Sequence, residues 1–256
     1  MAVTIDLSGR VVLVTGGTQG IGLGITRVFL EAGARVVTFA RSEVPSPLAG
    51  TTHLRCDVRE PESVQAMVDA VVGTHGRLDA VVNNAGGAPY SETAEASPRF
   101  FDKIIGLNLT GTLLVAQAAN RVMQGQESGG AIVNISSISA ARPSPGTAVY
   151  GAAKAGVDSL TRSLAQEWAP RVRLNAIDVG LCRTEHTADH YGSDRTVAAI
   201  EQTIGLGRMA DPLEIGRVAL FLASDLASYV TGATVACHGG GEIPPFLTIA
   251  REHREN

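Results

Sequence analysis

The chain has 256 residues, 45% of them hydrophobic and 18% charged, enough apolar material for a core covered on both faces and too much for a disordered chain. Its net charge of −4, from 21 basic and 25 acidic residues, includes no basic block, so neither nucleic acid nor a membrane surface is expected as a partner. Residues 1–9 do not read as a leader, no apolar run reaches bilayer-spanning length, and Cys56, Cys182 and Cys237 make no disulfide framework, which together predict a cytoplasmic protein.

Short β-branched runs alternate with longer segments of helical period, the mark of successive βαβ units. Strands are predicted over Val11–Thr15, Arg35–Ala40, Thr52–Cys56, Ala80–Asn83, Ala131–Ser136, Val172–Ile177 and Thr234–Cys237. Helices are predicted over Ile21–Ala32, Glu60–Thr74, Pro98–Gln124 with room for an interruption near Asn108, Val149–Ala169 and Pro212–Ser224. Gly33 suits the stop after the first helix, and Pro61 and Pro212 suit the first turns of theirs. No linker or repeat divides the chain. The expectation is one α/β domain over residues 1–256, a doubly wound sheet of about seven parallel strands with helices on both faces. Residues 183–211 lack clear periodicity and read as a substrate lid, a mobile loop with short helices. The tail Ile243–Asn256 reads as surface loop, pocket wall or interface.

The first strand runs into Gly16, Gly20 and Gly22, and a helix starts there. Free backbone N–H groups and the positive end of the helix dipole then face the space above the strand ends, which is an anion site. One glycine serves the tight turn, one the close approach of a pyrophosphate and one the packing of the helix. Alone, this turn implies only an anion at a helix start. The second predicted strand ends Phe39-Ala40-Arg41-Ser42. A dinucleotide fold that prefers NAD carries an acid there for the ribose 2′-hydroxyl, whereas Arg41 offers a forked donor set for a 2′-phosphate. NADP(H) is favoured and NAD(H) stays open, because Gln19 in the turn is not basic and Arg41 has the plain alternative of a solvated charge.

Tyr150 and Lys154, four apart near the start of a predicted helix, share one face. A phenol with an ordinary pKa near 10 needs roughly 4 kcal/mol of preference for its phenolate to act near neutrality, and a nearby cation has the right sign. Such a pair alone is commonly just a half-exposed helix pair. Ser137, however, ends a predicted central strand 13 positions before Tyr150, Asn83-Asn84-Ala85-Gly86 follows the fourth strand, and Asn108 lies in a later helix. All fall near the C-terminal strand ends, where open α/β sheets bind ligands.

These motifs, with Asp57-Val58, Asn175, Gly180 with Thr184, and Gly239-Gly240, occur in the order that resembles the short-chain dehydrogenase/reductase family in its single-domain Rossmann-fold form, over nearly the whole chain. The resemblance implies an oxidoreductase that transfers a hydride between NADP(H) and a carbonyl or secondary alcohol. It implies Tyr150 as proton donor or acceptor and Ser137 as hydrogen-bonding partner of the substrate oxygen. Lys154 would lower the Tyr150 pKa and hold the nicotinamide ribose, and Asn108 would position a water. Along the cofactor it implies Gly16, Thr18, Gln19, Gly20, Ile21 and Gly22 in the turn, Arg41 and Ser42 after the second strand, Asp57 at the adenine amino group and Val58 beside the ring. Asn83, Ala85, Gly86, Gly180, Cys182 and Thr184 would follow, with Cys182 near the nicotinamide. A homotetramer or homodimer would pack through Asn108–Met123 and Val149–Ala169. Three departures stand out: Asp178-Val179-Gly180 where relatives usually have Pro-Gly, His238 in place of Asp before the glycine pair, and Cys182 in place of an aliphatic residue. Two other functions compete. A reductase of carrier-bound 3-oxoacyl chains is weakened by the absence of basic residues in Gln124–Gly130, and a non-catalytic cofactor-binding regulator is opposed by the intact four-residue site. Cys182, His186 and His190, at four-residue intervals, read as lid residues rather than zinc ligands, so no metal is expected.

Overall fold

The computed structural model describes residues 4–41, 44 and 47–252. Its strands are β1 (Val11–Thr15), β2 (Arg35–Ala40), β3 (Thr51–Arg55), β4 (Ala80–Asn83), β5 (Gly130–Ile135), β6 (Val172–Val179) and β7 (Thr234–Cys237). They form one parallel sheet in the order β3-β2-β1-β4-β5-β6-β7. The order reverses between β1 and β4, and a doubly wound sheet receives its ligand in the crevice at that point. Every predicted strand is present with ends moved by a residue or two. β6 runs on to Val179 because β7 stays in register with it as far as Cys237.

The helices are α1 (Gly20–Glu31), α2 (Pro61–His75), α3 (Pro98–Ile105), α4 (Gly111–Gly125), α5 (Ala148–Trp168), α6 (Thr187–Tyr191), α7 (Asp194–Glu201), α8 (Pro212–Ala223) and α9 (Pro245–Glu252). Alternation along β1 shows how the sheet is covered twice. Val11 and Leu13 bury in one apolar cluster with Met67 of α2 and Val115 of α4. Val12 and Val14 bury in the other with Phe29 of α1 and Ile215 of α8. Each such side chain contributes about 1.5–3 kcal/mol on leaving water, and both faces of the central strands draw on that term. Among the described residues, no helix is long and apolar enough to cross a membrane.

α3 and α4 are one rod broken by a π turn over Gly106–Thr110. This is the expected interruption, and it falls on Asn108, as such turns often fall at functional positions. The stretch 183–211 is more ordered than a loop. It folds as α6 and α7 around a small apolar cluster of Val197, Ile204 and Met209, and Arg183 fastens it to Glu201 at 2.8 Å. The helix α9 was not foreseen in the tail.

Candidate active site

α1 begins without a side-chain cap from Gln19 and with no acidic residue in its first turn, so beyond the Gly20 N–H, which Glu185 engages, the N–H groups of Ile21 and Gly22 are left for an outside anion. Gly16 (φ +63°) and Gly20 (φ +51°) take the left-handed backbone that the turn requires. A Cβ on Gly22 would stand 2.0 Å from the Gly16 carbonyl oxygen, so the turn closes only around glycine. Thr15 then locks β1 to β4. Its hydroxyl accepts the N–H groups of Asn84 (2.8 Å) and Ala85 (2.7 Å), while the Asn84 amide donates to the carbonyls of Thr15 (3.0 Å) and Gly16 (3.2 Å).

Above this seam lies a cavity of about 350 Å³. Gly16, Gln19, Gly20, Ile21 and Gly22 line one side, and Ala85, Gly86, Ser137, Tyr150 and Lys154 the other. Gly180, just past β6, and Thr184, His186 and His190 of the 183–211 stretch also line it. Uncapped N–H groups, a turn that tolerates no Cβ and an open cavity fit a dinucleotide pyrophosphate. Thr18 faces a neighbouring recess with Arg27 and Thr38. Asn83 is buried and turned away, its amide donating to Asn134 Oδ1 at 2.9 Å, so Asn84 rather than Asn83 shapes the cavity.

At the end of β2, Arg41 is exposed, and the Arg55 guanidinium donates to its carbonyl at 3.0 Å. The Arg55 side chain is thereby fixed on the backbone at the end of β2. Ser42 lies outside the described residues. Asp57 is held by the Arg59 Nε at 2.9 Å, and that hydrogen bond keeps its carboxyl below the usual range. Val58 turns its side chain into the core. Neither lines the cavity.

Ser137 accepts the Ser139 N–H at 3.2 Å and so caps a short 3-10 turn after β5. Tyr150 stands in the first turn of α5. One turn on, Lys154 is 3% exposed and donates to the Ile135 carbonyl at 2.8 Å, its Nζ 5.6 Å from the centre of the Tyr150 ring. Burial pushes Lys154 down to about 8, against the opposing charge of Asp158. Burial also pushes the Tyr150 phenol above its ordinary value, outweighing the Ser137 hydroxyl. The sequence argument had Lys154 lowering this phenol, but in the protein alone burial wins, with the ammonium turned onto the Ile135 carbonyl. The Asn108 side chain clamps Gly87 from both sides, accepting its N–H at 2.8 Å and donating to its carbonyl at 3.0 Å, with a further bond to the Ile104 carbonyl at 2.9 Å.

From the 183–211 stretch, Glu185 reaches the glycine turn and accepts the Gly20 N–H at 2.8 Å. Nothing in the sequence pointed to this contact. Cys182 is not in the cavity lining. It packs against the cluster around β6 and α8, and burial pushes its thiol up to about 12. Elsewhere at the C-terminal ends of the strands, Arg142 donates to Glu242 at 2.6 Å and ties the segment after β5 to the stretch before α9.

A family model described as Enoyl-(Acyl carrier protein) reductase matches residues 16–242. The 3beta-hydroxysteroid dehydrogenase 1 of Eggerthella lenta is 35% identical over 251 residues, covering 94% of this chain and 96% of that protein. The L-fucose dehydrogenase of Bos taurus is 37% identical over 254 residues, covering 95% and 93%. The ligand-free structure of Thermoplasma acidophilum aldohexose dehydrogenase (AldT) matches with a TM-score of 0.87 at 30% identity, over 93% of this chain and 96% of that one.

Proposed function

The chain belongs to the short-chain dehydrogenase/reductase family of oxidoreductases, and on that premise we propose that it transfers a hydride between NADP(H) and a carbonyl or secondary alcohol, with Tyr150 as general acid and base. One observation carries the reading: Ser137, Tyr150 and Lys154 open into the same cavity as the uncapped start of α1.

The bound nicotinamide supplies or accepts the hydride. The rest of the work falls to the chain. Ser137 orients the substrate oxygen, and Tyr150 gives that oxygen its proton as negative charge develops there. A phenol raised by burial enters the reaction protonated, which suits the reductive direction. The Lys154 ammonium, 5.6 Å from the ring, stabilises the phenolate left behind. In this reading Asn108 holds the water through which Tyr150 regains its proton, and Arg41 with Arg55 receives the 2′-phosphate. The same reading has α4 and α5 packing against a second copy in a homotetramer, which light scattering with mass detection tests.

The test of function is consumption of NADPH with a panel of carbonyl compounds, compared with Tyr150→Phe. Relatives named for a hydroxysteroid and a sugar make cyclic ketones and aldoses the first members of the panel. Turnover that Tyr150→Phe abolishes supports the reading. NADPH binding without turnover on any carbonyl or alcohol would make the chain a cofactor-binding protein instead.

A further inference from the structure

Among the described residues, the buried polar atoms without a hydrogen-bond partner include Oδ1 of Asp158, Oδ1 of Asp178 and Nδ1 of His238. Sheet register gathers them. Ile135 pairs with Ile177, and the Ser136 N–H continues the ladder to the Ile177 carbonyl, so Ser136 stands beside Asp178. Asp178 pairs in turn with Ala236, two residues before His238. Paired residues and residues two apart share a face of a sheet. Asp158 comes down onto the same spot from α5, one turn after Lys154 and only 9% exposed. The two carboxyls influence each other's proton affinity, and both feel the Ser136 hydroxyl, which donates to the Lys154 carbonyl at 3.3 Å.

Two carboxylates in contact and away from water do not both keep their charge, since like charges at that range raise the affinity of one for a proton. A proton lying between them supplies each bare oxygen with a partner. Metal ligation is not an alternative, because no group of three or more His, Cys, Asp or Glu side chains among the described residues is arranged to hold a metal ion. The charged and titratable groups facing the pair are Lys154 and Arg162 from α5 and His238 from the segment after β7, while β5 brings only Ser136. Among the described residues Lys154 has no ion-pair partner within contact distance, and its ammonium is supported by the charge of Asp158.

We propose that Asp158 and Asp178 hold one proton in common, and that this pair, through Asp158, is the counter-charge that keeps Lys154 an ammonium beneath Tyr150. Asp178 is then a positioning residue: it meets neither substrate nor cofactor and acts by setting the charge on Asp158. The inference rests on the reading of Tyr150 and Lys154 as the groups that handle the proton. Burial pushes Asp158 up to about 6 and Asp178 above the usual carboxylate range, so the shared proton passes to solvent in the mildly acidic range. The pair then carries two negative charges instead of one, and the ammonium is held more firmly.

The test uses the full chain without cofactor. Infrared difference spectroscopy across pH reads the carbonyl stretch of a protonated carboxyl. One such band should fade as the pH rises through about 6. In Asp158→Asn and in Asp178→Asn the remaining carboxyl should lose its proton at a clearly lower pH than the pair does, because the second carboxylate no longer holds the proton with it. A band missing from the native protein, or one whose midpoint is unmoved in both variants, overturns the shared proton. The native spectrum alone decides this point if the variants do not fold. A nitrogen chemical-shift titration of Lys154 reads the second half. In the double variant Asp158→Asn, Asp178→Asn the ammonium should be about tenfold easier to deprotonate than in the native chain, and an unchanged midpoint overturns the link to Lys154. Neither measurement involves turnover, so failure of the oxidoreductase reading, seen as inert NADPH, is told apart from failure of the proton pair.

Discussion

The Glu185 carboxylate and the Gly20 N–H are joined at 2.8 Å, so an acidic side chain just ahead of α6 rests on the first residue of α1. A pyrophosphate and Glu185 would compete for the same end of the helix dipole. Glu185→Gln keeps the shape and removes the charge. Fluorescence titration should show NADPH binding a few-fold tighter, on the order of 1 kcal/mol for a half-exposed charge at a helix start. Unchanged affinity would mean that the contact yields to the ligand at no cost.

Arg41 and Arg55 supply the argument for NADP over NAD. Arg41→Ala should weaken NADPH binding by about tenfold or more, the scale of a lost charge-assisted hydrogen bond, and leave NADH binding nearly as it was. Equal losses for the two cofactors would show that Arg41 does not read the 2′-phosphate.

Lys154 is held against its own preference. Its proton affinity falls from the ordinary 10.5 to about 8 on folding, so the unfolded chain binds this proton more tightly. The resulting destabilisation is complete below about pH 8 and fades as the pH rises from there to 10.5. Lys154→Met should therefore abolish turnover yet raise stability at pH 7 by up to about 3 kcal/mol, with less gain at pH 10. Denaturant unfolding at the two pH values measures both.

Cys182 corrects an expectation of the sequence. A thiol near the nicotinamide should be shielded from alkylation by bound cofactor, but the thiol packs beside the core and burial pushes it up to about 12. Iodoacetamide at pH 8 should label it on the order of a thousandfold more slowly than an ordinary exposed thiol, with or without NADPH. Rapid labelling that NADPH suppresses would restore the first view.

Gly22→Ala places a methyl group 2.0 Å from the Gly16 carbonyl. The turn has to open to admit it. Thermal unfolding should show a loss of about 1–3 kcal/mol, and NADPH binding should fall with it.

The strands were legible because Val, Ile and Leu runs buried on both faces leave a continuous apolar signal that needs no partner to be read. That Ser137, Tyr150 and Lys154 lie near one another at the strand ends was legible from the conjunction of several motifs, not from spacing alone. The contacts that escaped are of two kinds. Glu185 meets Gly20 across 165 positions, and Asp178 lies near His238 through sheet register and near Asp158 through the packing of α5, so the departures at Asp178 and His238 could be noticed but not joined. The direction of the Tyr150 shift was missed for another reason: charge can be counted along a sequence, whereas the desolvation that opposes it depends on packing. Arg59, two residues after Asp57, was within view and is what engages that carboxylate.

The Arg142–Glu242 ion pair has a practical bearing on how the protein is handled. It couples the segment after β5 to the stretch leading into α9, whereas Leu7, just ahead of β1, is anchored to Ala32 at the other end of the parallel strands. Trimming back past Glu242 to aid crystallisation would release the Arg142 guanidinium and loosen the segment after β5.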